Sequence, residues 1–347
     1  MQKELIDIRS LSVEKLEAYL LENKEPKFRA KQIYQWLWNK GAEEFDDMTN
    51  LSLNLRNKLK SEFKISQAKI DLVQKSNDGT IKAGFKLRDA RIIEGVLIPT
   101  PKRMTACVSS QVGCTLACAF CATGTLKRER NLDAGEIYDQ VVGIDDLAKK
   151  NYQKPLSNIV FMGMGEPLLN YDNVISAIDK ITSPDGLGMS PRRITISTVG
   201  VARGIIKLAD EGKKFNLALS LHAPTNEQRM KVMDITKSNP IEKVMDAIAY
   251  FYEKTGNKVT YEYILFKDLN DSYEDAINLL RLCKRFPVFV NLIEYNHVEG
   301  LPFEKSTREK AEMFLNVLEK AGVTSVIRVS RGKDIDAACG QLANKNK

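Results

Sequence analysis

The chain has 347 residues, of which 43% are hydrophobic, 28% charged and 7% aromatic. Such a chain can bury a full core, which excludes disordered and fibrous proteins. Lys and Arg number 52 against 45 Asp and Glu, and the net charge of +7 permits an anionic partner without identifying one. No apolar run approaches the roughly 18 residues of a membrane span, and the start MQKELIDIRS is charged. We therefore expect a cytoplasmic protein without membrane contact.

Residues 1–65 are predicted to form a small helical N-terminal domain. Apolar residues recur there at helical spacing in three groups, namely Val13, Leu16 and Leu20, then Ile33, Trp36 and Leu37, then Leu51, Leu55, Leu59 and Phe63. Farther on, Asn77, Asp78 and Gly79 indicate a turn, and the runs KAGFKL and RIIEGVLIP indicate the strands of a hairpin. We assign residues 66–104 to this short β-hairpin linker.

From residue 105, predicted strands alternate with amphipathic helical segments. The strands are TACVSS, NIVFMG, RRITIS, FNLALSL, KVTYEYILF, PVFVNLIEY and VTSVIRV. This α/β pattern of six β-then-α units and a last strand predicts a parallel sheet that curves into a partial (β/α)6 barrel. Its site is expected at the carboxyl ends of the strands. We assign residues 105–330 to the barrel and 331–347 to a C-terminal segment.

Three cysteines directly after the first barrel strand carry the strongest chemical signal. Cys114, Cys118 and Cys121 are spaced C-x3-C-x2-C. Three thiolates on one loop can bind three irons of a [4Fe-4S] cluster and leave the fourth iron open. A structural zinc site is the alternative, although it normally has four ligands, and no His or further Cys lies within the usual spacing.

This spacing resembles that of the radical S-adenosylmethionine (SAM) superfamily, in which the open iron chelates SAM and reductive cleavage makes a 5′-deoxyadenosyl radical. The segment FMGMGEP matches the superfamily's methionine-binding edge, which implies that Gly165 and Glu166 hold the amino group of SAM. The resemblance implies the same cofactor for Ser197, Ser220, Leu221, His222 and Asn296. Without it, these residues are equally compatible with local hydrogen bonds at strand ends.

Several ordered motifs together resemble the RlmN-type enzymes, which methylate C2 of adenine in 23S ribosomal RNA and transfer RNA. They are VLIP at 96–99, CVSSQVGC at 107–114, CATG at 121–124, MGMGEP at 162–167, SPRRITISTVG at 190–200, SLHAP at 220–224 and RGKDIDAACGQL at 331–342. The implied substrates are an adenosine in the peptidyl-transferase centre and the adenosine 3′ of the tRNA anticodon. The resemblance also implies an RNA-binding role for residues 1–65, an electron donor such as flavodoxin or ferredoxin, and a monomer.

The resemblance implies a radical route through Cys339 in AACGQL. Adenine C2 is electron-poor, so it cannot attack the methyl group of SAM directly. In the resembling family one SAM methylates this cysteine, and a second provides the radical that activates the S-methyl group for addition to C2. Glu94 then matches the base that removes the C2 proton, and Cys107 matches the second thiol, which releases the RNA and forms a disulfide. Taken alone, both cysteines are more typical of small buried hydrophobic residues, which is the interpretation we keep for Cys283.

Glu94 has a predicted environment of its own. Strand alternation places it on one face with Ile92, Val96 and Ile98. Desolvation among these aliphatic side chains would raise its pKa and improve it as a base. The alternative is an exposed glutamate on an edge strand.

The basic residues near the predicted strand ends are expected to converge around the mouth of the site and hold phosphates. They are Lys127, Arg128, Arg130, Arg192, Arg193, Arg328, Arg331 and Lys333. Because C2 lies inside a stacked base, the target adenosine must be unstacked into the pocket.

Three alternative functions stay open on the sequence. The first is C8 methylation of the same ribosomal adenosine, the activity of the sister group. Pro167 and Arg331 resemble the C2 enzymes and favour C2 over C8. The second is another radical SAM activity, which would leave Cys107, Cys339 and the helical domain without a purpose. The third is a non-catalytic RNA-binding module stapled by zinc.

Overall fold

The computed structural model describes residues 5–344 and begins with a helical region. Strand β1 (Ile6–Asp7) is followed by helices α1 (Val13–Glu22), α2 (Phe28–Trp38) and α3 (Leu53–Glu62), and then by strand β2 (Phe63–Lys64), which pairs with β1 in parallel. Ser12 and Ser52 start α1 and α3 by accepting hydrogen bonds from backbone N–H groups of the first turn. The three predicted helices are confirmed. The β1–β2 pair escaped prediction because two-residue strands carry no alternating pattern.

The remaining strands build one large sheet and a small ribbon. In chain order they are β3 (Lys69–Lys75), β4 (Ile81–Lys86), β5 (Ile92–Pro99), β6 (Met104–Cys107), β7 (Gln111–Val112), β8 (Arg130–Asn131), β9 (Asn158–Phe161), β10 (Ile194–Thr198), β11 (Asn216–Ser220), β12 (Val259–Leu265), β13 (Phe289–Glu294) and β14 (Ser325–Arg328). The ten-stranded sheet has the order β14-β13-β12-β11-β10-β9-β6-β5-β4-β3, and β7 pairs with β8.

The large sheet has a parallel part and an antiparallel part. Strand β6 and strands β9 to β14 are parallel neighbours, as the alternation of predicted strands and helices requires. Strands β3 to β6 are antiparallel neighbours. Strand β6 therefore belongs to both parts, and the expected linker is continuous with the barrel sheet.

The predicted hairpin is confirmed as the antiparallel pair β4–β5, but the turn assigned to it lies elsewhere. The turn at residues 77–79 joins β4 to β3, a strand that the sequence analysis missed. Strand β3 is largely exposed at the sheet edge, so its sequence KIDLVQK shows little hydrophobic alternation.

Helices cover the parallel part on one side. They are α4 (Ala134–Tyr152), α5 (Tyr171–Thr182), α6 (Ala202–Asp210), α7 (Asn226–Val232), α8 (Ile241–Thr255), α9 (Tyr273–Cys283) and α10 (Arg308–Lys320). The short helix α7, which the sequence analysis missed, lies in the connection after β11. A reciprocal capping box of Asp133 and Glu136 starts α4, and Gly256 in the left-handed conformation ends α8.

The N-terminal helices pack against α4 of the barrel. Arg9 forms a buried ion pair with Asp139, with 2.7 Å between Nη1 and Oδ1, and the Tyr138 hydroxyl donates to the carbonyl of Trp38. Within residues 5–344, no helix combines the length and apolar character that crossing a bilayer requires.

Candidate active site

A large cavity opens at the carboxyl ends of the parallel strands. The empty space in and around it, including open solvent at its mouth, is about 1160 Å³. Its wall includes ten of the residues that the sequence analysis selected: Cys107, Cys114, Cys118, Cys121, Gly165, Glu166, Ser197, Ser220, His222 and Cys339. The fold thus gathers residues separated by more than two hundred positions in the chain, as expected for this architecture.

The cysteine loop is held by tight backbone packing. Ala117 adopts a left-handed conformation with φ of 45°, which is unusual for a residue with a side chain. The backbone N–H of Ala119 donates to the carbonyl of Val232 at the end of α7, at 2.9 Å. The ring of Phe120 packs edge-on against His222, with 4.9 Å between ring centroids. Neighbouring elements therefore fix the loop before any ligand binds.

The three thiols of this loop fit a cluster that deprotonates its ligands. Burial raises the pKa of each of them, to about 11 for Cys114. Binding to iron would replace the thiol protons, so cluster assembly is coupled to proton release. Among residues 5–344, no three Cys, His, Asp or Glu side chains are close enough together to hold a single metal ion.

The Gly-Glu edge lies against β7. Gly165 has φ of 95°, and a Cβ atom there would lie 2.5 Å from the Cβ of Gln111, so only glycine fits. Glu166 is 2% exposed, and its carboxylate accepts from the backbone N–H groups of Leu168 and Val199 at 3.1 and 2.9 Å. Burial raises the pKa of this carboxyl to about 7. Glu166 is therefore a buried acid without a cationic partner among these contacts.

The ends of β10 and β11 bring the next polar groups together. The hydroxyls of Ser197 and Ser220 lie 3.3 Å apart. His222 adopts φ of 55°, and its Nδ1 accepts from the backbone N–H of Ile264 at 3.2 Å. Burial, followed by the charge of Arg229, lowers the pKa of His222 to about 3, so the imidazole is neutral.

Two of the expected SAM ligands are outside the cavity wall. Leu221 is fully buried, and its backbone N–H donates to the carbonyl of Glu262. Asn296 donates from Nδ2 to the carbonyl of Cys339 at 3.1 Å, while its Oδ1 is buried without a partner. Asn296 therefore holds the C-terminal segment in this structure and keeps one acceptor free.

The C-terminal segment brings Cys339 to the cysteine loop. The carbonyl of Gly340 accepts from the N–H of Ala122 at 2.7 Å, and the carbonyl of Leu342 accepts from the Thr123 hydroxyl at 2.6 Å. Cys339 is solvent-exposed and Cys107 is buried, and all six cysteines are free thiols. Desolvation, followed by the charge of Cys339, raises the pKa of Cys107 to about 12, whereas Arg328 acts in the opposite direction.

The predicted environment of Glu94 is wrong. The side chain is buried, as expected, but its Oε1 lies 3.4 Å from the ammonium of buried Lys82. Its Oε2 accepts from the N–H groups of Ala343 and Asn344 at 2.9 and 3.1 Å, and Glu94 does not belong to the cavity wall. The prediction considered only strand β5, whereas Lys82 lies on the same face of the neighbouring strand β4.

The expected convergence of basic residues fails for one pair. Arg192 and Arg193 precede β10 and therefore lie at the amino ends of the strands, opposite the cavity. Arg193 donates to the carbonyl of Ser157 just before β9. Arg130 is held by Glu136 and Asp89, whereas Arg328 does belong to the cavity wall.

The sequence analysis missed two buried charged residues at the site. Glu262 on β12 belongs to the cavity wall, accepts from Asn291 at 2.7 Å and lies 3.6 Å from Arg328. Arg229 on α7 is 1% exposed and donates to carbonyls at the ends of β10 and β11. The charged residue within the apolar strand KVTYEYILF was a usable signal for Glu262, but no periodic pattern marks Arg229.

Comparison with known proteins identifies the family. Residues 6–65 match the ribosomal RNA large subunit methyltransferase N-terminal domain, and residues 108–280 match the radical SAM superfamily. The chain is 54% identical over 340 residues to a probable dual-specificity RNA methyltransferase RlmN of Christiangramia forsetii, covering 98% of this chain and 97% of that protein. It is 46% identical over 348 residues to dual-specificity RNA methyltransferase RlmN 2 of Myxococcus xanthus, covering 99% and 92%.

A solved structure agrees over nearly the whole chain. A radical SAM methyltransferase from Sphaerobacter thermophilus superposes with a TM-score of 0.90 at 38% identity, covering 97% of this chain and 99% of that chain. A non-catalytic zinc module is therefore the wrong alternative. The chain belongs to the RlmN family of radical SAM RNA methyltransferases, enzymes that use a [4Fe-4S] cluster and SAM.

Proposed function

We propose that this enzyme methylates C2 of adenine in RNA through a methylated Cys339. The observation that carries the proposal is one cavity wall that contains the three loop cysteines, Glu166, and both Cys107 and Cys339. When bound in this cavity, the cluster and SAM supply the methyl group and a 5′-deoxyadenosyl radical. The remaining roles fall to side chains of the chain.

The binding roles come from the family resemblance, and position in the cavity wall supports them for all of these residues except Leu221 and Asn296. Cys114, Cys118 and Cys121 hold the cluster. The residues that hold SAM are Gly165, Glu166, Ser197, Ser220, Leu221, His222 and Asn296. Glu166 suits the ammonium group of SAM, because it is a buried carboxylate whose hydrogen-bond donors, two backbone N–H groups and the Thr198 side chain, are all neutral. Leu221 contributes backbone only, and Asn296 offers the free Oδ1.

The two cysteines divide the covalent work. Cys339 belongs to the cavity wall, where desolvation raises the pKa of its thiol. The thiol must lose its proton to accept the methyl group, and its sulfur then carries the methylene bridge to C2 of the adenine. Glu94 removes the C2 proton. Residues 343 and 344, whose backbone N–H groups donate to the Glu94 carboxylate, must move before the adenine can reach that carboxylate.

Once the adduct has lost the C2 proton and one electron, which the bound cluster would take back, the thiolate of Cys107 would attack the sulfur of Cys339 and break its bond to the bridging carbon. That carbon takes up a proton and becomes the 2-methyl group of the released RNA, and a Cys107–Cys339 disulfide is left for reduction by an external thiol. The raised pKa of Cys107 makes this step favour alkaline conditions.

We propose the partners on the same basis. The RNA substrates are an adenosine of 23S ribosomal RNA in the peptidyl-transferase centre and the adenosine 3′ of the tRNA anticodon, which places the monomeric enzyme in the cytoplasm. Flavodoxin or ferredoxin supplies the electron for SAM cleavage. Residues 1–65 contact RNA. There, exposed Phe28, with the Arg29 guanidinium 5.1 Å from its ring centroid, offers a surface for base stacking.

Product analysis tests the proposed function. Enzyme with a reconstituted cluster, SAM and a reductant is incubated anaerobically with a 23S fragment or with tRNA, and the digested nucleosides are separated by chromatography and mass spectrometry. We expect 2-methyladenosine from both RNAs and none from C339A, which retains its iron. Exclusive 8-methyladenosine would assign the chain to the C8 activity, and normal product from C339A would overturn the methyl-cysteine route.

A further inference from the structure

The buried Arg229 has no role in the reaction described so far. Its side chain is 1% exposed and lies on α7, the short helix after β11. Burial lowers the pKa of the guanidinium to about 10, while Cys118 raises it, so the group stays charged at neutral pH. A buried charge is costly unless it is paired. Its hydrogen-bond acceptors show how this side chain is held.

All of these acceptors are neutral oxygens. Three are backbone carbonyls at the ends of β10 and β11, and the fourth is a hydroxyl in the segment that follows α7. Nε donates to the carbonyl of Leu221 at 3.1 Å, and Nη1 donates to the hydroxyl of Thr236 at 2.9 Å. Nη2 donates to the carbonyl of Val199 and, at 3.4 Å, to that of Ser220. The guanidinium thus ties the end of β10 to the end of β11. None of these contacts balances its positive charge.

The two tied segments are those proposed to hold SAM. Val199 follows Ser197 by two residues, and its N–H donates to the Glu166 carboxylate. Ser220 and Leu221 directly precede His222. The planar fork of an arginine can fix several acceptors at once, which a lysine ammonium cannot reproduce. Arg229 therefore sets the spacing between Ser197, Glu166 and Ser220 without lying in the cavity wall itself.

The same helix supports the cysteine loop. The last residue of α7, Val232, accepts the backbone N–H of Ala119, between Cys118 and Cys121. Val232 also packs in one apolar cluster with Phe120. Three deprotonated cysteines and the SAM carboxylate would place negative charge beside this helix. The charge of Arg229 favours the thiolate of Cys118, although burial of that thiol is the larger influence on its pKa.

We propose that Arg229 is a positioning residue with two tasks: its fork aligns the SAM-binding ends of β10 and β11, and its charge is the counter-ion of the thiolate-bound cluster. The inference rests on the proposed cluster and SAM sites. A cation buried near the cluster stabilises the reduced form, which carries one more negative charge, and so raises the reduction potential. Removing the charge lowers the potential, and removing only the fork weakens SAM binding.

The test compares R229Q and R229K with the parent full-length enzyme, each with a reconstituted cluster. Exposed Arg203 on α6 provides the control R203Q, which removes one surface charge. The midpoint potential of the SAM-free cluster is measured by a redox titration followed by electron paramagnetic resonance. SAM affinity is measured by calorimetry without reductant or RNA.

We expect a more negative midpoint for R229Q only, and SAM binding about tenfold weaker for both R229Q and R229K. A midpoint of R229Q equal to that of the parent would overturn the counter-ion role, and parental SAM affinity in R229K would overturn the alignment role. Should R229Q fail to fold or retain iron, R229K decides both questions, because a shifted midpoint there contradicts the charge argument. Failure of the parent to hold four irons would instead refute the proposed function.

Discussion

Glu166 and Glu94 are both buried glutamates, but they lie in different parts of the sheet and in opposite electrostatic settings. Glu166 follows a parallel strand, accepts hydrogen bonds from two backbone N–H groups and from the side chain of Thr198, and has a pKa raised to about 7 by burial. Glu94 lies in the antiparallel part, pairs with the buried ammonium of Lys82 and accepts two further N–H groups from residues 343 and 344. One carboxylate lacks a cation, and the other already has one.

This difference separates Glu166, the acid that we propose to bind SAM, from Glu94, whose charge is already paired within the protein. Glu166 gains most from an incoming ammonium group, because nothing in its surroundings balances its charge. Glu94 must first lose its hydrogen bonds from residues 343 and 344 before it can accept a proton from a substrate. Burial alone therefore does not assign a role to a glutamate, whereas the contacts of its two oxygens do.

The largest expected effect on turnover comes from replacing Cys107, because its thiol is proposed to release the RNA. Cys107 lies on β6, the strand that belongs to both parts of the sheet. C107A is expected to convert at most one RNA per enzyme and to trap it on Cys339, because the second thiol is missing. E94Q is expected to trap the same adduct, because the C2 proton stays in place. The adduct is measured by denaturing electrophoresis and by mass spectrometry of the peptide that contains residue 339.

The matched control is C283A, which removes a buried cysteine of α9 far from the cavity wall. It should turn over repeatedly and leave the RNA free. Repeated turnover of C107A would contradict the proposed release step. Repeated turnover of E94Q would show that Glu94 is not the base that removes the C2 proton.

The Lys82–Glu94 pair is expected to show strong coupling in stability. K82M and E94Q should each lower the free energy of unfolding by about 3–5 kcal/mol, because each leaves one buried charge without its partner. The double variant should lose less than the sum of the two. Urea unfolding followed by circular dichroism measures all four proteins. Additive losses would mean that the two charges do not depend on each other.

The smallest of these expected effects is a pH dependence of SAM affinity that is caused by Glu166. Its pKa is raised to about 7, so the carboxyl is mostly ionised at pH 8 and mostly protonated at pH 6. The affinity for SAM should fall by about tenfold over this range, relative to E166Q, in which this carboxyl no longer titrates and all other groups are the same. Calorimetry on both proteins gives the ratio. Equal pH dependence in the two would show that Glu166 does not hold the ammonium group.

The sequence predicted most of the barrel and the cysteine loop for physical reasons that can be named. Buried parallel strands such as β12 are rich in β-branched and aromatic residues, and β9 to β14 alternate with helices that have one apolar face. The three loop cysteines are constrained locally by their spacing, and Gly165 is constrained by its own positive φ of 95°. Such constraints are visible within a few residues of sequence.

Other features depend on contacts between distant segments. Lys82 faces Glu94 only because β4 and β5 pair in one register, and residues 343 and 344 cover that carboxylate from the far end of the chain. Arg229 is buried only because its helix docks beneath two strand ends. A pattern within one segment contains no information on these partners.

The central claim is that the methyl carbon passes through Cys339, and one isotopic measurement tests it most directly. The enzyme is first allowed to turn over any pre-existing methyl groups. It is then supplied with RNA, reductant and SAM that carries a trideuterated methyl group, and the masses of the digested nucleosides are measured by mass spectrometry. We expect 2-methyladenosine that contains two deuteriums derived from SAM, because one is lost to the 5′-deoxyadenosyl radical. A product that retains all three would show direct transfer from SAM and would contradict the role of Cys339.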